Sequence, residues 1–584
     1  MSTPRATLIL IAVALLGSWC VGMFGRGDWT PDEPREADIS WRMSWQADTT
    51  VPLLAGEAFC EKPPLTYWLA GASLRTFGDT AWAARLPNLF YALITTLSIA
   101  WLARGLAGPL AAAAAAAASA TFLLSYQVEI WLATDAPLLA AVALALAGLY
   151  AGFYAGSTRA RLLGYTMMHL ALALGFLAKS AAAWIVPVLA FATLIIWERR
   201  WRELARWELW IGLALQALLI GAWVLSVYTG PEGVEHLRVF FWNNLIGRFA
   251  AVDAPSGLQY TTGHRNFPAK YLLEMPVYLF PWTLLVIAAA LRAWRARATV
   301  AHDCRRVLRW ALAVIVPGFV VLSVAATARN IYIAPLLPGV ALLLGWWARE
   351  AIAAPSRADT LAMRATNVVL LLATLLAVAF VLLCALDAGG APDAPGTLTA
   401  MSFTMIGAGA SLVLLARAWR AAGKGQIQPA MLALLLAYCV LLTGPGSQAY
   451  RYADRWQDLR ATGREVKADL AAAPLLLIAP DETTRAWVDQ YVSVEVAHAN
   501  VPAGEPDLQA LMAWLKGGAG RRALVQLEGR ALSPLLTRLG AKFANSPMNS
   551  PRAAPPWIGE AHLRIVREYA QPNGRRYALL APLP

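Results

Sequence analysis

About thirteen apolar runs, each near the ~20 residues that a helix needs to cross a bilayer, constrain this chain more than any other feature. They fall at about 8–24, 82–103, 107–127, 136–154, 162–178, 181–197 and 208–228, then at about 273–293, 308–326, 331–348, 364–386, 400–418 and 429–446. Two junctions are tight, one around Lys179 and one near Arg329, where neighbouring runs nearly touch. A soluble core could not absorb so many: 58% of residues are hydrophobic and only 15% charged, against roughly a quarter charged in soluble domains. Much of this surface must therefore face lipid, and the chain reads as a polytopic α-helical membrane protein.

The loops test the count independently. With the N-terminus inside, the inner loops hold Arg104, then Arg159 and Arg161, then Arg199, Arg200, Arg202 and Arg206. Further along they hold the arginines of 295–309, then Arg349, Arg357 and Arg364, and lastly Arg417, Arg420 and Lys424. The intervening outer connections hold Glu129 and Asp135, or Asp387 and Asp393, with few cations. This alternation obeys the positive-inside rule. An odd number of spans puts the C-terminus outside. The net charge of +13 is then a topology signal, and nucleic acid is not an expected partner. Arg5 and the apolar run Leu8–Met23 look like a signal peptide, but no small-residue cleavage pattern follows, and Trp19 before Cys20 spoils a lipoprotein site. The run is expected to remain as the first span. The five cysteines (Cys20, Cys60, Cys304, Cys384, Cys439) show no paired or metal-ligand spacing.

Three outer segments exceed a connector: 25–80, 229–271 and 445–584. In the last, charges return, and strand-length runs such as 474–480 and 523–529 alternate with helix-like stretches. The expected organisation is a membrane domain over 1–446 and a small extracytoplasmic α/β domain over 447–584. The alanine run 111–118 suits a tightly packed helix within a span.

The first outer segment carries the densest chemistry. Asp32 and Glu33 lie just beyond the first span, where carboxylates can sit at the bilayer edge. Pro31 and Pro34 fix the local backbone ahead of a helix. Ala37, Trp41 and Trp45 recur every fourth residue, as on a helix lying in the interface with its aromatic side among headgroups. In 61-EKPP-64, Lys62 is a compact cation suited to a phosphate. A reaction that breaks a sugar–phosphate bond builds negative charge on the departing phosphate, which an ammonium stabilises. A carboxylate opposite can orient or deprotonate an acceptor. Read singly, each of these is equally an ordinary hydrated loop charge.

The acidic pair followed by Arg35, Ala37, Ile39 and Ser40 resembles the first-loop motif of bacterial glycosyltransferase family 39 enzymes, and 51-VPLLAGEAFCEKPPLTYWL-69 resembles their second motif. That group includes the lipid A 4-amino-4-deoxy-L-arabinose transferases and is related to the protein O-mannosyltransferases. The segments 242–249, 264–282 and 329–338 follow in the expected order. The resemblance implies a GT-C fold and transfer of a sugar from a polyprenyl phosphate, undecaprenyl phosphate in a bacterium, to lipid A or a protein at the outer face of the inner membrane. It further implies that Asp32 is the catalytic carboxylate with Glu33 in support, and that Lys62, Arg35, Arg329 and Tyr332 serve the carrier phosphate or the sugar. Glu61 and His264 would be possible ligands of a zinc ion. Two departures, Glu36 in place of an aromatic residue and 266-NFPAK-270 after His264, lie where sugar or acceptor would touch and leave both identities open. Outside the motifs, Asp135 suits a helix cap, and Lys179 could snorkel outward or reach the same phosphate. A transporter is the rival class, but polar groups cluster in outer loops and no half-to-half similarity is present. A non-catalytic assembly factor would leave the first-loop motifs without a role.

Overall fold

The computed structural model describes residues 5–248, 252, 267, 269–296, 302–325, 329–388, 397–457, 459–494, 496–499, 508–518, 520–527, 557–571 and 574–583. The membrane portion opens with α1 (Arg5–Met23), followed by α2 (Glu33–Trp45), the two-residue strands β1 (Leu53–Leu54) and β2 (Glu57–Ala58), and α3 (Leu65–Phe77). Then come α4 (Ala81–Ala107), α5 (Pro109–Thr121), α6 (Leu123–Ile130), α7 (Asp135–Phe153), α8 (Thr158–Lys179), α9 (Ala182–Glu198), α10 (Trp207–Tyr228) and the short α11 (Gly233–Leu237). The rest is α12 (Lys270–Tyr278), α13 (Thr283–Ala296), α14 (His302–Val324), α15 (Leu337–Ala353), α16 (Arg357–Ala388), α17 (Thr397–Gly423) and α18 (Ile427–Thr443).

Among the described residues, ten helices or helix runs are long and apolar enough to cross a membrane. Two further apolar pairs are sharply bent, α5 with α6 by 63° and α12 with α13 by 113°, and α9 is a shorter apolar helix. Each sequence run thus has a helix, or a bent pair, beneath it. The tight junctions resolve as backbone breaks. α8 stops where Ser180 takes a positive φ of 56°, and a 3₁₀ segment, Asn330–Leu336, leads into α15. Helix starts follow side-chain chemistry: Thr80 Oγ1 accepts from the amide of Ala83 at 3.3 Å and Ser157 Oγ from that of Ala160 at 3.2 Å. The alanine run allows close approach of α5 and α15, since a Cβ on Gly345 would lie 2.6 Å from the Ala111 carbonyl. α7 and α15 are central and largely buried, whereas α10, α16 and α17 show most of their surface outward, as lipid-facing helices do.

Beyond α18 lie α19 (Pro445–Gln457), which packs on α16, α17 and α18, and α20 (Arg460–Leu470). β3 (Leu475–Ile478), α21 (Glu482–Tyr491), β4 (Val496–Ala499), α22 (Leu508–Lys516), β5 (Arg522–Leu527), β6 (Leu563–Ala570) and β7 (Arg576–Pro582) follow. The sheet order is β4-β3-β5-β7-β6, with β3 parallel to β4 and β5 and β7 antiparallel to β5 and β6. Every residue of β3 is buried, because helices cover both faces. Leu476 and Ile478 meet Leu511 and Leu515, while Leu475 and Leu477 meet Trp487 and Val488. The two strand-length runs read from the sequence are β3 and β5, side by side at the centre.

One expectation needs correction. The face of α2 that bears Ala37 and Trp41 does not lie among headgroups but packs against Ala70, Leu74, Ala83, Ala84 and Leu132. Only Trp45 is exposed, at 57%. The same four-residue spacing serves either surface, and here α3 and α4 supply the apolar partner.

Candidate active site

The acidic pair splits into opposite environments. Asp32 is the N-cap residue of α2 but makes no capping bond with its side chain, so its carboxylate is free to turn outward. Glu33, one residue on, points inward and is completely buried. Its carboxylate receives Arg26 Nη2 at 3.0 Å, Arg85 Nε at 2.9 Å and the amides of Trp29 and Leu132 at 2.8 and 2.9 Å. Burial acts to raise the Glu33 carboxyl, but Arg85 and Arg26 outweigh it and bring it to about 2. Both oxygens are saturated, so the Glu33 carboxylate fixes the turn that carries Asp32.

Asp32 faces a different set. Arg329 Nη2 lies 2.6 Å from its Oδ2 and Arg35 Nη2 lies 3.4 Å from its Oδ1. Burial raises the Asp32 carboxyl, yet the Arg35 and Arg329 charges prevail and hold it below the usual carboxylate range. Arg35 is shared: it also reaches Glu36 Oε1 at 2.7 Å and Glu482 at the start of α21. Glu36 in turn accepts from the hydroxyl of Tyr67 at 2.8 Å. Arg329 is anchored through its backbone, whose carbonyl accepts from the Tyr271 hydroxyl at 2.9 Å.

Beside this cluster, Glu61, Lys62, Lys179, Asn244 and Tyr332 line a cavity of about 190 Å³ whose other walls include Leu138, Ile185, Val186, Val321 and Leu322. Two ammonium groups thus share the lining with a majority of apolar side chains, a combination that suits a lipid with a phosphate head. Lys62 Nζ lies 3.8 Å from Glu61 Oε2. Burial pulls the Lys62 ammonium below the usual lysine value, while Glu61 pushes it back. Lys179 Nζ is 2.5 Å from Asp135 Oδ1 and 5.1 Å from the centre of the Tyr332 ring. Asp135 therefore does not cap α7, as the sequence suggested; Thr134 precedes the helix and Asp135 pairs with Lys179.

The residues singled out in the sequence thus separate. Asp32, Arg35 and Arg329 form one group, Glu61, Lys62 and Tyr332 line the adjoining cavity, and Glu33 lies beneath as support. Arg329 contacts the carboxylate rather than the cavity wall. His264 lies outside the described residues. Among the described residues Glu61 lies beside the Lys62 ammonium, and no cluster of three or more His, Cys, Asp or Glu could hold a metal ion. Sequence reasoning missed Arg26, Arg85, Tyr67, Tyr271 and Glu482. The first two could have been sought, because a carboxylate next to a span needs a cation. Glu482 carries no local signal, being one helix-start acid among several.

A family model for dolichyl-phosphate-mannose-protein mannosyltransferases matches residues 61–226. The undecaprenyl phosphate-α-4-amino-4-deoxy-L-arabinose arabinosyl transferase of Pseudomonas paraeruginosa is 32% identical over 374 residues, 64% of each chain. The protein of the same name from Edwardsiella ictaluri is 31% identical over 343 residues, 58% of this chain and 59% of its own. The alignments thus span about three fifths of these relatives. The crystal structure of ArnT from Cupriavidus metallidurans bound to undecaprenyl phosphate superposes with a TM-score of 0.69 at 18% identity, covering 99% of this chain and 98% of that one. The chain is similar to these proteins in sequence across much of its membrane portion. Its fold, a polytopic helical GT-C body with a small C-terminal sheet domain, extends that likeness over its whole length.

Proposed function

We propose that this multi-pass membrane protein is a glycosyltransferase that moves a sugar from undecaprenyl phosphate to an envelope acceptor at the outer face of the bacterial inner membrane. The observation that carries the reading is the proximity of two groups: a largely apolar cavity lined by Lys62 and Lys179, and a carboxylate that is held between Arg35 and Arg329 and feels the Lys62 charge. In this scheme the carrier phosphate lies against Lys62 and Lys179, and its prenyl chain follows the cavity's apolar wall. The sugar's anomeric carbon then faces Asp32. An acceptor oxygen attacks that carbon from the side opposite the phosphate and forms the new bond with its own lone pair. The bond from carbon to phosphate oxygen breaks, and its electron pair stays on the phosphate, where the two ammonium groups stabilise it. Asp32, kept ionised by its arginines, orients a hydroxyl acceptor and takes its proton. An acceptor that is already a phosphate anion needs only the orientation.

The relatives' names make 4-amino-4-deoxy-L-arabinose the first sugar to test, and the resemblance of the first-loop motifs to lipid A aminoarabinose transferases makes lipid A the first acceptor, ahead of a protein. The arginine-rich inner loops support a cytoplasmic N-terminus and a C-terminal domain on the periplasmic side. Mass spectrometry of lipid A from cells carrying the wild-type gene, no gene, or the Asp32→Asn allele tests this. A mass increment of one sugar with wild type alone is the expected result. With the wild-type and Asp32→Asn proteins shown to be present, identical lipid A in all three strains would remove lipid A as acceptor. If purified protein also released no undecaprenyl phosphate from any loaded donor, the transferase reading would fall.

A further inference from the structure

We propose that the C-terminal domain is part of the active site, through Glu482, a positioning residue that shares Arg35 with Asp32 and tempers the affinity of the site for phosphate. The inference rests on the transferase reading above and adds a component to it. Glu482 opens α21, and its carboxylate binds Arg35 Nη1 while Arg35 Nη2 serves Glu36 and Asp32. Its place is fixed by the way α21 lies along α2. Thr483 Oγ1 donates to the Pro31 carbonyl at 2.7 Å, Gln490 Nε2 to the Pro34 carbonyl at 3.3 Å, and Ala486 is buried against Ile39 and Met43. The helix start is itself pinned, with Asp481 accepting from the Thr484 amide at 2.7 Å, and an acid in the first turn complements the helix dipole. The domain therefore holds the face of the helix that begins at Asp32, and it places one carboxylate, 42% exposed, at the edge of the site.

The charges explain why a carboxylate would be useful there. Arg35, Arg329, Lys62 and Lys179 are cations, and Asp32, Glu36, Glu61, Asp135 and Glu482 pair with them. A site with unopposed cations would retain the phosphate after the sugar has left, and carrier release would limit turnover. Glu482 also keeps Arg35 Nη1 turned away from Asp32. Without it, that guanidinium can close the 3.4 Å gap to Asp32 Oδ1 and bind the carboxylate that must meet the acceptor.

The test uses the full-length protein in lipid nanodiscs, with undecaprenyl phosphate as binding probe and a sugar-loaded donor for turnover. Glu482→Gln is expected to bind undecaprenyl phosphate about tenfold more tightly and to turn over about tenfold more slowly, the scale for losing one partly screened charge near an anion. Glu482→Asp should restore the affinity, and Glu482→Gln should add nothing in an Arg35→Gln background. Arg485→Gln, on the same helix as Glu482, breaks the ion pair of Arg485 with Glu57 of β2 and should leave both readouts unchanged. A merely structural Glu482 would weaken binding and turnover together, so unchanged or weaker affinity in Glu482→Gln overturns the proposal. So does the same split in Arg485→Gln, which would assign it to docking. If wild type binds undecaprenyl phosphate but transfers no sugar, the transferase reading fails while the affinity shift still decides the role of Glu482.

Discussion

Glu33 and Asp32 are adjacent carboxylates, each set against two arginines, yet they belong to different regions of the molecule. The Glu33 cluster lies under α2, where Arg26 and Arg85 are buried with it and backbone amides fill the remaining lone pairs. The Asp32 cluster lies above, where Arg329 is 40% exposed and Arg35 is divided among three carboxylates. Composition is the same on both sides. What differs is spare capacity. A sealed, saturated cluster holds shape, whereas a partly open one can give up a partner when substrate arrives.

The largest effects should separate the two regions. Asp32→Asn is expected to reduce sugar transfer about a thousandfold, within the range for losing a positioned base, with thermal unfolding close to wild type. Glu33→Gln should do the reverse. It leaves Arg26 buried without its anion and Arg85 with Asp28 alone, at a cost of about 3–5 kcal/mol, and denaturant or thermal unfolding would show it. Loss of transfer without loss of stability in Glu33→Gln would erase the distinction. The same change has a pH signature. The Glu33 carboxyl falls from 4.5 to about 2 on folding, so its contribution is complete above pH 4.5 and is lost as pH falls toward 2. The wild type should therefore lose stability through that window by more than Glu33→Gln does. An equal acid response in both would contradict the assignment.

A smaller effect is expected at the cavity. Lys62→Ala should weaken undecaprenyl phosphate binding about thirtyfold, near 2 kcal/mol for one partner of a buried charge pair, while lipid nanodisc reconstitution proceeds normally. Normal affinity would move the phosphate elsewhere. The smallest is a displacement of a pH profile. Because Arg35 and Arg329 hold the Asp32 carboxyl low, transfer should stay level as pH falls into the ordinary carboxylate range. Arg329→Gln should move the acid limb upward, since one of the stabilising charges is gone. A limb that stays in place would mean that Asp32 ionisation does not control the rate.

The spanning helices were legible because lipid imposes a local rule: each span must satisfy its own backbone and present apolar side chains, so the run itself is the signal. The central strands were legible for a similar reason, as β3 is buried on both faces and reads as a continuous apolar run. Within the site, Asp32 and Lys62 stood out by residue type and position. The interfacial reading of Trp41 failed because periodicity identifies an apolar face without identifying what covers it, and α3 and α4 cover this one. The capping reading of Asp135 failed because its partner, Lys179, is 44 residues away.

The sequence by itself therefore determined which segments are apolar enough to span a membrane and the chemical types gathered in the segment after the first span. These depend on local hydropathy and charge, which each segment carries with it. Only the tertiary structure decided which carboxylate is sealed and which is open, that Arg329 answers Asp32 across 297 residues, and that Glu482 joins Arg35 across 447. Those pairings are between charges distant in the chain, and their energies depend on burial and on lone pairs already occupied, quantities that exist only once the helices have packed.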